Sequence, residues 1–138
     1  MAGFSNYLET ALLNHVFRTD TLTKPTNVYI GLFTATPSDA GGGTEVAGGS
    51  YARKAVSSAD ASWSAPADDS GAQEITNASA ISFAESTGAW GTVSHFGIFD
   101  ASSSGNLLAW GSLTTSRTVD AAGITLTIAA GDLSISLD

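Results

Sequence analysis

Residues 93–113, VSHFGIFDASSSGNLLAWGSL, restrict the possible folds more than any other stretch of the chain. Two runs rich in Val, Ile, Phe and Trp flank a polar insert, Asp100-Ala101-Ser102-Ser103-Ser104-Gly105-Asn106, which is the pattern of a β-hairpin. Symmetric pairing about Ser103 sets Phe96 against Trp110 and Ile98 against Leu108, with His95 facing Gly111 and Phe99 facing Leu107. On that register Trp110 reads as core. Both sides of the hairpin are at least partly apolar, so it belongs inside a packed β-structure and not at its edge.

The C-terminal segment has the strictest alternation. Ile124, Leu126 and Ile128 alternate with Thr, Leu133, Ile135 and Leu137 alternate with Ser, and Ala129-Ala130-Gly131-Asp132 lies between them. Pairing about that turn predicts Ile128 opposite Leu133, Leu126 opposite Ile135 and Ile124 opposite Leu137, a half-buried hairpin with hydroxyls on its other face. Earlier in the chain, Thr26 to Thr34 (TNVYIGLFT) is punctuated by Pro25 and Pro37 and is apolar on both faces, as a central strand would be. Pro37 to Ser50 is a glycine-rich loop. Tyr51 to Ser57 and Ala80 to Ala84 are further strands, Trp63 falls in a short one, and residues 65–71 read as surface loop.

One helix precedes these strands. Asn6 with Glu9 has the form of a capping box, and Leu8, Leu12 and Val16, widened by Leu13 and Phe17, make an apolar stripe over residues 6–19. Arg18 near its C-terminal end suits the helix dipole. The expected architecture is all-β: residues 1–138 as a single domain, with helix 6–19 capping an open end or flank of an antiparallel β-sandwich, 26–138, of jelly-roll or Greek-key type.

Composition narrows the function classes. A chain of 138 residues buries roughly two-thirds of its unfolded surface, and 43% hydrophobic residues with six Phe, three Trp and three Tyr supply a core without staples. There is no cysteine, hence no disulfide framework or thiolate metal site, which suits assembly in a reducing cytoplasm. Five Lys and Arg against 13 Asp and Glu give a net charge of −8. Scattered cations cannot form the stripe that phosphate backbones require, so neither nucleic acid nor an anionic membrane is an expected partner. No apolar run approaches the ~20 residues of a membrane helix. The N-terminal stretch lacks a basic n-region and carries Glu9, so no export signal is expected.

Chemistry-bearing motifs are sparse. His15 and His95 have neither Cys nor HxxxH spacing to make a zinc site. Asp100-x-Ser102-x-Ser104-Gly105 echoes a calcium loop, but serines replace acidic ligands and Gly111 stands at the twelfth position, so a polar hairpin turn explains it better. Gly41-Gly42-Gly43 and Gly48-Gly49 precede neither GKS nor GKT and open no helix. No GxSxG elbow is present. No catalytic residue, metal or cofactor is expected. Trp63 and Trp90 sit beside turns where partial exposure would make them protein-contact anchors, and Tyr7 and Phe4 complete the set of expected interface residues. Sugar stacking is the other use of exposed Trp.

Taken in order, SNYLETALLNHVF, NVYIGLFTATPSDAG, GTEVAGGSYARKAV, ITNASAISFAESTGAWGTVSHFGIFDASSSGNLLAWGSL and GITLTIAAGDLSISL span nearly all of the sequence. The chain so marked resembles a family of small tailed-bacteriophage virion proteins, often labelled tail-fibre-like. That resemblance implies a non-enzymatic virion protein. The absence of a repetitive shaft and the compact acidic chain favour a capsid decoration, or cement, protein. Such a protein would act as a homotrimer on the major capsid protein, through many weak contacts that add by multivalency. A tail- or tail-fibre-associated adaptor contacting tail proteins is the alternative, and a carbohydrate-binding module the third reading.

Overall fold

A computed structural model describes residues 3–137. In chain order the elements are β1 (Gly3–Phe4), α1 (Asn6–Phe17), β2 (Asn27–Ala35), β3 (Thr44–Glu45), β4 (Lys54–Ser57), β5 (Ala67–Asp69), β6 (Ala72–Thr76), β7 (Ile81–Ser82), β8 (Gly91–Phe99), β9 (Leu107–Val119), β10 (Thr127–Ile128) and β11 (Ser134–Leu137). All pairings are antiparallel. A six-stranded sheet runs β1-β9-β8-β2-β3, with β4 also on the outer edge of β2; β11-β6-β5 and β10-β7 form two smaller sheets. The large sheet contributes Ile30, Leu32, Val93, Phe96, Ile98, Ala109 and Val119 to the core, and Ile81, Phe83, Leu126, Ile128 and Leu133 meet them from the other side. The result is an antiparallel β-sandwich with one short helix.

The β8–β9 hairpin forms, but not in the symmetric register. Phe99 pairs with Leu107 as expected, after which a bulge shifts the partners by one, so Ile98 faces Ala109, Gly97 faces Trp110, Phe96 faces Gly111 and His95 faces Ser112. An extra residue on one strand moves every later side chain to the other member of the pair. Phe96 therefore enters the core at 2% exposure, while Trp110 lies half-buried on the opposite face, its indole N–H donating to Asp39 Oδ1 at 2.9 Å. The bulge adjoins the loop at residues 100–106. Asp100 closes that loop by accepting from the backbone N–H and the side-chain amide of Asn106, each at 2.7 Å. Gly105 has φ +73°, and a Cβ there would lie 2.5 Å from Asp100 Oδ1.

The C-terminal arms do not pair with each other. Ile128 pairs with Ile81 of β7, and Ile135 pairs with Ile75 of β6. What separates them is Asn77, 1% exposed. Its amide nitrogen donates to Ala129 O and Ser79 O at 2.9 and 2.8 Å, and its Oδ1 accepts from Leu133 N at 2.9 Å. Its backbone N–H donates to Leu133 O, and its carbonyl accepts from Gly131 N. The turn keeps its own Asp132 N to Ala129 O bond, and a side chain from elsewhere in the chain holds both of its flanks. Buried Ser86 fixes the segment before β10 in the same way, its hydroxyl donating to Ala121 O and accepting from Ile124 N.

The helix ends at Phe17, two residues short of the predicted limit, where Arg18 adopts extended backbone. Ser5, not Asn6, caps it: the Ser5 hydroxyl accepts from Leu8 N and donates to Leu107 O, tying the helix start to β9. Ser5→Ala is expected to cost about 1 kcal/mol, the usual value of an N-cap. Amide exchange should show this as lost protection at the first turn of the helix, with the sandwich unchanged.

Candidate interaction surface

The expected interface residues separate into three environments. Trp90 is core: it is 6% exposed, its indole N–H donates to Gly49 O at 3.0 Å, and its ring meets Tyr51 edge-on at 5.5 Å. Gly49 has φ +54°, and a Cβ there would stand 2.9 Å from Trp90 Nε1. The glycine-rich loop therefore closes over the indole that its place beside a turn led us to expect at the surface. Phe4 and Trp63, by contrast, are brought together. Phe4 pairs with Ala109 at the edge of the large sheet, and Trp63, bridged to Asn77, donates its indole N–H to Ser57 O at 3.0 Å. Both are half-buried and line one apolar cavity of about 250 Å³, with Leu8, Val28, Ile75, Ile98, Leu108 and Ile135 among its other walls. Tyr7, 44% exposed, lies in separate grooves against residues 20–25.

The sequence reading missed the most exposed apolar group. Leu8 and Leu12 of the helix stripe are half-buried, but no helix residue is fully buried. Leu13, Val16 and Phe17 are 59%, 57% and 77% exposed. Spaced i, i+3 and i+4, these three share one face. Counting them into the packed stripe hid them. The helix touches the sandwich mainly through β1 and β9, which leaves room for only one side of an apolar band that is wider than its contact.

On the outer face of the large sheet, Gly31 and Gly97 are direct cross-strand partners. The rings of Phe33 and Phe99 stack beside them, centroids 6.2 Å apart. A Cβ at Gly97 would lie 2.9 Å from the Phe33 ring and 3.0 Å from that of Phe99. Arg53 covers this floor, its guanidinium carbon 3.4 Å from the Phe99 centroid. It pairs with both carboxylate oxygens of Glu45 at 2.8 Å, and its remaining nitrogen donates to Ala101 O and Ser104 O at 3.0 and 2.8 Å. Tyr51 completes the array. Its hydroxyl donates to Glu45 Oε1 at 2.9 Å and accepts from Leu32 N at 2.8 Å. Burial pushes the Tyr51 phenol above its ordinary range, with the Glu45 charge acting in the same direction against the opposing Leu32 bond. The hydroxyl therefore remains a donor throughout the physiological range.

His95 lies on this same face. Its Nδ1 is 2.8 Å from Ser94 Oγ and its Nε2 is 3.4 Å from Thr36 Oγ1, while both oxygens of Asp100 are engaged by Asn106. His95, Asp100 and serine thus do not converge on one point. His15 accepts from Leu22 N at 3.2 Å through Nδ1, which folds the post-helix segment back on the helix. The polar side chains of both regions join strands and loops to one another.

The comparisons with known proteins extend over the same sandwich. The family model described as "Podophage GP4 fiber I protein gp80" matches residues 3–136, which takes in the helix, the cavity walls and the Arg53 array. No curated protein matches the chain.

Proposed function

The chain belongs to the podophage GP4 fiber I protein gp80 family, a bacteriophage virion structural protein family, and on that premise we propose that it is a fibre-associated component of the tail, assembled in the host cytoplasm and acting by cohesion. The observation that carries this reading is the match to a fibre family along residues 3–136. The capsid-decoration role favoured by size and charge alone has no comparable support and becomes the second reading. The work of such a protein is mechanical and adhesive. It holds a rigid shape through a continuous core and presents apolar surface to neighbouring copies or to tail proteins, with no catalytic step and no cofactor.

Particles labelled with an antibody against the protein test the assignment. Label confined to the tail and its fibres is expected, in few copies per particle. Particles depleted of the protein should lose adsorption while retaining heat and osmotic resistance. Label spread over the head shell, with depleted particles that rupture on heating yet adsorb normally, would replace the fibre reading with decoration.

A further inference from the structure

We propose that the C-terminal half of α1 in one copy inserts into the apolar cavity of a second copy, so that Leu13, Val16 and Phe17 are the knob and the pocket bordered by Phe4, Trp63, Ile75 and Ile135 is the hole. The inference deepens the cohesive role proposed above by naming the partner and both surfaces.

Two observations select a second copy as the occupant. The first is apolar fit. A 77% exposed Phe beside a Leu and a Val more than half exposed is the kind of contiguous apolar surface that marks a contact site. The cavity holds about 250 Å³ and is walled almost wholly by apolar side chains, where ~150 Å³ of such space accepts a benzene ring. Leu137, 47% exposed, is on the same face of the small sheet as Ile135 and extends the apolar rim.

The second is charge. Five cations stand against 13 acids in this chain, and Arg53 is committed to Glu45. Yet two of the others are exposed: Arg18 directly follows the knob, and Lys24 lies further along the chain in a groove with Tyr7 and Leu8. Two acids border the hole. Asp60 lines the continuation of the cavity past Trp63. Asp68 pairs with Gln73, which puts it on the same face of the sheet as Ile75. Rim charges of opposite sign around an apolar centre fix orientation and favour this pairing over others.

Because knob and hole are different surfaces of one chain, the contact is heterologous, and it closes into a ring or continues as a stack according to the rotation between copies.

Sedimentation velocity of the purified full chain over a wide concentration range tests the contact, independently of where the protein resides in a particle. Concentration-dependent association is expected for the native chain, and Phe17→Asp should abolish it while circular dichroism stays unchanged. Reversing the knob charges (Arg18→Glu with Lys24→Glu) or the rim charges (Asp60→Lys with Asp68→Lys) should each weaken association about tenfold. The second pair is the sharper test, because it lowers the net negative charge and on general repulsion alone would strengthen association. A chain carrying all four reversals should regain the native affinity. A native chain that stays monomeric at every concentration, association indifferent to Phe17→Asp, or rim reversals without effect would each overturn the proposal.

Discussion

Asn77→Leu is expected to destabilise the protein by about 3 kcal/mol, a large share of the total stability of a domain this size. The substitution keeps the branched outline of the side chain, so the loss is mainly one of hydrogen bonding. Asn77 is 1% exposed, and its side chain holds Leu133 N, Ala129 O and Ser79 O at once. With Leu in its place, the Leu133 N–H is left buried beside hydrocarbon, at about 1–3 kcal/mol for such an orphan. The two carbonyls, on exposed residues, regain water at smaller cost. Thermal unfolding should show a midpoint lower by roughly 10 °C. The Leu133 amide should lose exchange protection before the rest of β11 does. Asn77→Asp separates the two functions of the amide. It keeps the acceptor for Leu133 N but turns a second oxygen toward two carbonyl oxygens, so it should fail as badly as Leu. Stability of either variant within about 0.5 kcal/mol of the native protein would remove Asn77 from the account of why the arms part.

Arg53→Met carries the next largest effect, also about 3 kcal/mol. Its side chain is 9% exposed and that of Glu45 26%, so removal of the guanidinium leaves a largely desolvated carboxylate and frees the carbonyls of Ala101 and Ser104. Added salt should change the stability of the native protein little, because a pair so sheltered is weakly screened. Arg53→Lys should recover only a fraction, since an ammonium cannot match both carboxylate oxygens while lying flat on Phe99. The double variant Arg53→Met, Glu45→Gln should be more stable than Arg53→Met alone, because it removes the stranded charge and keeps an acceptor for Tyr51. Urea midpoints for the set measure this order. A double variant no better than the single would mean that the cost lies in lost stacking on Phe99.

These two residues also show how far the sequence could be read. Alternation revealed the all-β class and the strand segments from Thr26 to Thr34 and from Val93 to Leu113. Period is a property of one strand, and partner choice is not. Ile124 to Leu137 alternates as a hairpin should, but Asn77, far away in a weakly patterned stretch, bonds to both flanks of the turn, and the two arms pair with β7 and β6 instead of each other. The β8–β9 register failed for a related reason: a bulge adds one residue without altering the hydrophobic pattern, so Phe96 keeps the core face while Trp110 moves to the opposite one. Trp90 looked exposed because it borders a turn, and only the approach of Gly49 across the fold buries it. Of the expected interface set, Phe4 and Trp63 do share a cavity. Phe17 was legible as apolar but not as outward-facing, since a helical stripe does not reveal how much of its width a neighbour can cover.

The pairing of β1 with β9, and of β6 with β11, bears on how the protein can be made. Gly3 and Phe4 wait for Trp110 and Ala109, and Gln73 to Thr76 wait for Ser134 to Leu137. Each of these strands therefore lacks that partner until the later strand has left the ribosome. Folding of so non-local a topology is slow, and throughout that interval neighbouring nascent chains present open strand edges to one another. Host folding factors and the spacing of ribosomes on the message should then govern the yield of soluble protein more strongly than its final stability does.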